Sequence, residues 1–264
     1  MRLFASDYDG TFLRNERSWG EIKNNIKMAK KWQSQGNLFV FATGRSVKLM
    51  EAAALRGLVY DYIVAVNGGL VADRTGKFIF ESKLSEKTID LLKQHIDENR
   101  FSAYFITDGF YTYNQLRKFS EKLTFKQWIG YKLMDLYMKK YEISLEEILS
   151  RYPVQIAVTL ENQKSATDYA DYLTANYPEE LSAFANLVHV DISAPNTSKA
   201  AGIEEIAKIH NISPENIYVM GDSFNDVPML EKYTGFTTPE AVEDIKDKSQ
   251  KIYTTVGEAL ADLM

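Results

Sequence analysis

Leu3-Phe4-Ala5-Ser6-Asp7-Tyr8-Asp9-Gly10-Thr11 is the stretch whose reading decides the fold. A short apolar run that stops at an acid fits a strand buried on both faces, as in a parallel sheet. The pattern recurs twice downstream. Leu38-Phe39-Val40-Phe41-Ala42 ends at Thr43-Gly44-Arg45, and the run from Tyr62 to Val66 closes on Asn67-Gly68-Gly69. Helical spacing fills the gaps. Ile22, Ile26, Ala29 and Trp32 recur at three- and four-residue steps from about Trp19 to Gln35, with Gly36 as the stop, and Val47, Met50, Ala54 and Leu55 follow the second run. Strand, helix, strand, helix, strand predicts an α/β protein with a Rossmann-like, open parallel sheet. Such sheets bind ligands beyond the carboxyl ends of their strands, where Asp7, Thr43 and Asn67 fall.

The rhythm changes after about Lys83. A helix is expected from Ser85 to Asn99, then a hairpin over 102–114 that turns at Asp108-Gly109 between aromatic runs. A strand from Val154 to Leu160, a helix from about Ala166 to Ala175 and a strand from Leu187 to Ile192 complete an α+β insert on an antiparallel sheet. From Lys199 the first pattern resumes, with a helix through Ile203, Ile206 and Ile209 leading to strand Ile217-Tyr218-Val219-Met220 and then Gly221-Asp222. The expected organisation is a core of 1–82 and 191–264 interrupted by an insert at 83–190.

Composition narrows the function classes. The 264 residues are 45% apolar and 25% charged, a globular balance, and the net charge of −5 argues against a dedicated nucleic-acid or anionic-membrane surface. No cysteine is present, so disulfides, thiolate catalysis and cysteine-ligated metals are excluded. The amino terminus has no apolar core followed by a cleavage site, and no apolar run approaches the ~20 residues that span a bilayer. The expectation is a cytoplasmic protein; its oligomeric state is not legible.

Two acidic clusters carry the chemistry. Asp7-Tyr8-Asp9-Gly10-Thr11 reads blandly as a solvated turn. A calcium loop fails, because its sixth position would be Phe12 rather than Gly and its twelfth Ser18 rather than Glu. Gly221-Asp222-Ser223-Phe224-Asn225-Asp226 follows another apolar strand, and parallel topology brings both clusters to one sheet edge. Carboxylates ~4 Å apart repel by roughly 4 kcal/mol per pair at an effective dielectric of 20, a penalty that a bound cation reverses. All-oxygen donors point to a hard ion, Mg²⁺ first. Thr43-Gly44-Arg45 offers a hydroxyl and a close backbone approach to an anion, and Lys199 stands where a helix begins. On its own Lys199 also reads as a surface lysine. No Walker loop is present, since Val71 stands five positions before Gly76. His95, His189 and His210 lack nucleophile or metal-ligand spacing and read as structural.

Asp7-x-Asp9-Gly10-Thr11, Thr43-Gly44-Arg45, Lys199 and Gly221-Asp222-x-x-Asn225-Asp226 occur in the order of the four motifs of the haloacid dehalogenase-like phosphohydrolases, which this chain resembles over its whole length. The insert resembles the α/β cap of the Cof-type branch, rich in sugar-phosphate phosphatases. The resemblance implies a Mg²⁺-dependent phosphatase of small phosphorylated metabolites. Asp7 would be the nucleophile that forms an aspartyl-phosphate, and Asp9 the general acid and then base, which must keep a proton near neutral pH while Asp7 stays ionised. Mg²⁺ would be held by the Asp7 carboxylate, the Asp9 backbone carbonyl and Asp222. Thr43, Lys199 and Asn225 would hold phosphoryl oxygens, and Asp226 would support the metal or Lys199. Gly44, Arg45 and Asn67 match positions near the pocket and, with Asn225, are expected to bind substrate. The cap would select the leaving group, and its aromatics Tyr104, Phe105, Tyr111, Tyr113 and Trp128 either face a substrate or pack their own sheet. Departures are Phe12 for the usual Leu, Asn196 for a frequent Gly before Lys199, and the loss of an Asn-Ala pair in 235–241. Two alternatives stay open: a sugar phosphomutase, and a catalytically silent phosphometabolite-binding protein.

Overall fold

A computed structural model of the chain describes residues 1–14, 19–54, 57–97, 101, 103–116, 136 and 139–264. It separates into two compact units, 1–82 with 197–264 and 83–196. The strands of the first unit are β1 (Leu3–Ser6), β2 (Leu38–Ala42), β3 (Tyr62–Ala65), β4 (Leu70–Asp73) and β5 (Phe78–Glu81). The second unit holds β6 (Ala103–Thr107), β7 (Thr112–Leu116), β8 (Gln155–Thr159), β9 (Ser182–Asn186) and β10 (His189–Ser193). β11 (Ile217–Met220), β12 (Thr234–Thr237) and β13 (Lys251–Ile252) return to the first.

The first unit is one eight-stranded sheet in the order β13-β12-β11-β1-β2-β3-β4-β5. Its strands run parallel from β13 to β3, and β4 and β5 add an antiparallel edge. β1 is central because it is apolar on both faces. Leu3 and Ala5 pack with Val40, Val64, Val219 and the helix Lys199–His210 through Ile203 and Ile206. Phe4 turns to the other face, where its ring lies 6.0 Å from Phe39 and 6.4 Å from Trp32 on the helix Trp19–Ser34. Trp32 is fully buried, and its indole N–H is satisfied by the Leu38 carbonyl at 2.9 Å. Burying side chains of this size stabilises by roughly 1.5–3 kcal/mol each.

β1 lies between β2 and β11 in register, Ser6 opposite Phe41 and Met220. The chain order reverses between these neighbours, and the crevice at such a reversal is the ligand site of open α/β sheets. Asp7 and Gly221-Asp222 leave adjacent strands there, tied by an Asp7 N–H to Met220 carbonyl bond of 2.8 Å.

The second unit is a five-stranded antiparallel sheet, β7-β6-β8-β10-β9, with helices that include Glu86–Asp97 and Gln163–Asn176. The boundary expected at 190 falls inside β10, which pairs with both β8 and β9 through Ser193. The strand expected over 187–192 is also corrected. Leu187 sits in the β9–β10 turn with φ +54°, and the strand begins at His189. Tyr104, Tyr111 and Tyr113 pack partly buried against this unit's own core, and Trp128 lies outside the described residues. Among the described residues no helix is long and apolar enough to cross a membrane.

Candidate active site

Asp7 follows β1 directly and is 4% exposed. Behind it the chain turns tightly, with Phe12 N–H bonding the Asp7 carbonyl and Leu13 N–H the Tyr8 carbonyl. Gly10 makes that turn possible. Its φ is +80°, and a Cβ there would lie 2.3 Å from the Asp222 carboxylate, so only glycine lets the two acidic loops meet.

Lys199 opens the helix that Ser198 caps through its bond to the Ala201 N–H. Its side chain does not reach solvent as an ordinary surface lysine would; it is 1% exposed. Its ammonium donates to Asp7 Oδ1 at 2.7 Å and Asp226 Oδ1 at 2.6 Å. Asn196 takes φ +61°, a conformation asparagine tolerates better than most residues. The Asp226 Oδ2 accepts from the Asp222 and Ser223 amides, both at 3.0 Å, and from the Ser223 hydroxyl at 3.1 Å. Both Asp226 oxygens are therefore committed to the lysine and to its own loop.

Asp7, Asp222 and Asp226 each bring a carboxylate oxygen within 4.8 Å of one another. At that distance two ionised carboxylates repel by about 3.5 kcal/mol at an effective dielectric near 20. Three acids around one ammonium leave an excess of negative charge, and the titration behaviour follows. Burial pushes the Asp7 carboxyl well above the usual range; Lys199 opposes this, and Asp226 and Asp222 reinforce it. Burial likewise pushes Asp222 up to about 6, against the pull of the Thr11 hydroxyl. Burial works against the charge of Lys199, but Asp226 and Asp7 overcome it and hold the ammonium protonated. Lys199 thus falls short of ionising Asp7 by itself, and the cluster favours one further cation. The donor set suits a hard divalent ion: Asp7 and Asp222 offer oxygens, while Asp226 braces the lysine. In this structure Asp226 is engaged with Lys199.

Asp9 does not join the cluster. Both its oxygens accept from Arg45, each bond 2.7 Å long, at a position where the aspartate is 54% and the arginine 30% exposed. The Arg45 guanidinium also lies 4.9 Å over the Tyr8 ring. Burial opposes the arginine's charge, yet the bonds to Asp9 raise its pKa overall. Thr43 is buried beside them, and its hydroxyl accepts the Arg45 N–H at 3.1 Å, so its own proton remains to be donated. Gly44 is exposed at the loop's crest. Asn67 accepts from the Asn225 side-chain amide at 3.0 Å.

Sequence reading assigned no role to Thr11 or Ser223. Thr11 is buried and donates to Asp222 Oδ1 at 2.6 Å, and Ser223 holds both Asn225 and Asp226. The Ser223-x-x-Asp226 spacing is a capping-box signature and could have revealed the second. The three histidines lie elsewhere, as expected. His95 bonds the Tyr169 hydroxyl, His189 faces Thr159, and His210 faces Tyr62.

The first unit is a Rossmann-like α/β core that brings an acidic cluster at its central strand ends together with a buried lysine at a helix start, and the second unit is inserted within its sequence. The chain belongs to the haloacid dehalogenase-like hydrolase family, whose sequence model matches residues 4–261. It is similar to the 5-amino-6-(5-phospho-D-ribitylamino)uracil phosphatase YbjI of Escherichia coli, 23% identical over 90% of this chain and 84% of the relative. It is also similar to phosphatase YwpJ of Bacillus subtilis, 23% identical over 98% and 96% of the two chains. Among solved structures, a haloacid dehalogenase-like hydrolase from B. subtilis superposes with a TM-score of 0.78 at 20% identity, covering 100% of both chains. The subclass IIB sugar phosphatase BT4131 superposes with a TM-score of 0.77 at 16% identity, covering 100% of this chain and 99% of the other.

Proposed function

We propose that the protein is a Mg²⁺-dependent phosphatase that hydrolyses a small phosphorylated metabolite, a sugar phosphate first among them, through an aspartyl-phosphate on Asp7. The observation that carries this reading is the buried network in which Lys199 bridges Asp7 and Asp226 within reach of Asp222. The names of the phosphatase relatives support it, and so does the fold shared with a sugar phosphatase.

Lys199 pins Asp7 Oδ1, which leaves Oδ2 to attack phosphorus in line with the leaving oxygen. The new Oδ2–P bond forms as the ester P–O bond breaks, and Asp9 gives its proton to the departing alkoxide. Asp9 must first turn away from Arg45, since both of its oxygens are occupied there. In the second step Asp9 takes a proton from water, whose oxygen attacks phosphorus. The Asp7–phosphorus linkage breaks and inorganic phosphate leaves. Thr43, Lys199, Gly44 and Asn225 orient the phosphoryl oxygens, and most of the acceleration in such transfers comes from this positioning and charge neutralisation. Asp7, Asp222 and the Asp9 carbonyl would hold Mg²⁺, which would supply Lewis-acid neutralisation of the phosphoryl charge.

The direct test is phosphate release with Mg²⁺ across sugar phosphates, nucleotides and cofactor phosphates. Turnover concentrated among the sugar phosphates is expected. Isomerisation of hexose phosphates without phosphate release would replace hydrolysis by mutase chemistry, and inactivity across the panel would leave a binding protein.

The cation requirement has its own signature in stability. A carboxyl whose folded pKa is raised weakens the fold as pH climbs from its ordinary value, 3.8, to its folded value, here about 6 for Asp222. A divalent ion removes that penalty, and protons compete with it below the folded value. Mg²⁺ is therefore expected to raise the melting temperature clearly at about pH 7.5 and far less at about pH 5. Equal shifts at both pH values would remove Asp222 from the ligand set.

A further inference from the structure

The turn after β3 is strained in a way that its own sequence does not demand. Val66 and Asn67 both take φ +52°. Asparagine accepts the left-handed region readily, but a β-branched valine there is an outlier that its surroundings must impose. The surroundings are the other loops of the pocket. Val66 N–H bonds the Arg45 carbonyl and Asn67 N–H the Thr43 carbonyl, both at 3.0 Å. The Asn67 side-chain oxygen lies beneath Gly44, where a Cβ would meet it at 3.2 Å. Gly68, with φ +99°, presses so closely on Ser198 that a Cβ would fall 1.9 Å from that carbonyl, one residue before Lys199. Asn67 Oδ1 accepts from Asn225 Nδ2 at 3.0 Å, and Asn225 Oδ1 accepts from the Ser223 hydroxyl at 2.7 Å.

We propose that Asn67 is a positioning residue: the 66–68 turn brackets the 43–45 loop, the Ser198–Lys199 helix start and Asn225, and the Asn67 side chain fixes which way the Asn225 amide faces. This departs from the sequence expectation that Asn67 itself binds substrate, and it rests on the reading that the pocket receives a phosphoryl group. With one Nδ2 hydrogen held by Asn67, and Oδ1 facing the Ser223 hydroxyl whose one proton is shared with Asp226 Oδ2, Asn225 is held in one amide orientation, with its second N–H available to a phosphoryl oxygen. Rotated by a half-turn, the same amide would present an oxygen to an anion. Backbone bonds fix the loop that carries Thr43, and the Asn67 side chain joins Ser223 in holding Asn225.

A double-mutant cycle separates positioning from direct binding. Asn67→Gly is the informative variant because it keeps the left-handed backbone while removing the side chain. Alone, it is expected to lower kcat/KM by about 10-fold to 100-fold and to weaken competitive inhibition by inorganic phosphate in parallel, with the melting temperature little changed. In an Asn225→Ala background, the same change should cost less than about 2-fold in both readouts, since the amide that Asn67 orients is gone. Equal factors in the two backgrounds would mean that Asn67 meets the phosphoryl group independently, which overturns the proposal while the phosphatase reading stands. If the wild type neither releases phosphate from any ester nor binds inorganic phosphate, the reading fails, and the proposal with it.

Discussion

Asp7→Asn is expected to remove turnover by roughly 10⁴-fold or more while leaving the protein folded. The amide has the shape of the carboxylate, so packing at this buried position is preserved, and its oxygen still accepts from Lys199. What it lacks is a nucleophilic oxygen. It also removes one of three crowded carboxylates, so the melting temperature should hold or rise, most clearly without Mg²⁺. Phosphate release and thermal melting on the same preparation check both halves. Near-normal turnover would end the covalent route, whereas loss of turnover with collapse of the fold would make Asp7 structural.

Lys199→Met should have the opposite thermal outcome. The ammonium is buried and holds two carboxylates, so its removal leaves Asp7 and Asp226 uncompensated, a change that typically costs about 3–5 kcal/mol. Turnover should fall by roughly 10²–10³-fold, because a positive group facing the transferring phosphoryl is lost. The pH dependence distinguishes charge from packing. The Lys199 pKa is raised above its ordinary 10.5, so its stabilising contribution is complete across the neutral range and is lost only in strong alkali. In the variant the deficit comes from lost charge compensation at Asp7, whose pKa burial already raises, so it should shrink at about pH 5, where Asp7 takes up a proton, relative to about pH 8. A deficit that is the same at both values would point to lost packing.

The sheet core was legible because β2 is apolar at every position and β1 at every position before Ser6, and both end on polar residues, a pattern that a doubly covered strand needs. Topology then did the rest for the acidic pair. Both acids follow apolar strands, and parallel topology sends such loops to one edge of the sheet, so Asp7 and Asp222 could be paired from their place after those strands. β9 escaped because Ser182-Ala183-Phe184-Ala185-Asn186 carries small residues with weak strand preference, and its place is set by pairing with β10. The antiparallel additions β4 and β5 also went unread: Leu70–Asp73 follows β3 with no helix between them, and Phe78–Glu81 is only partly buried. Within the site, residue types announced the acids and the lysine, but not their partners. Asp9 on Arg45 joins side chains 36 residues apart, and Asn67 on Asn225 joins side chains 158 apart. Neither pairing has a local signal, and the left-handed Val66 has none at all: valine disfavours that conformation, and only bonds to the 43–45 loop explain it.

In this mechanism the phosphoryl group passes through one side-chain oxygen. Acid quenching during steady turnover, followed by borohydride reduction, converts an acyl phosphate to an alcohol and would leave homoserine in place of the phosphorylated aspartate. Peptide mass analysis should find homoserine at position 7 only, dependent on substrate and absent from Asp7→Asn. Active turnover with an unmodified Asp7, or with the mark on another carboxylate, would contradict the mechanism.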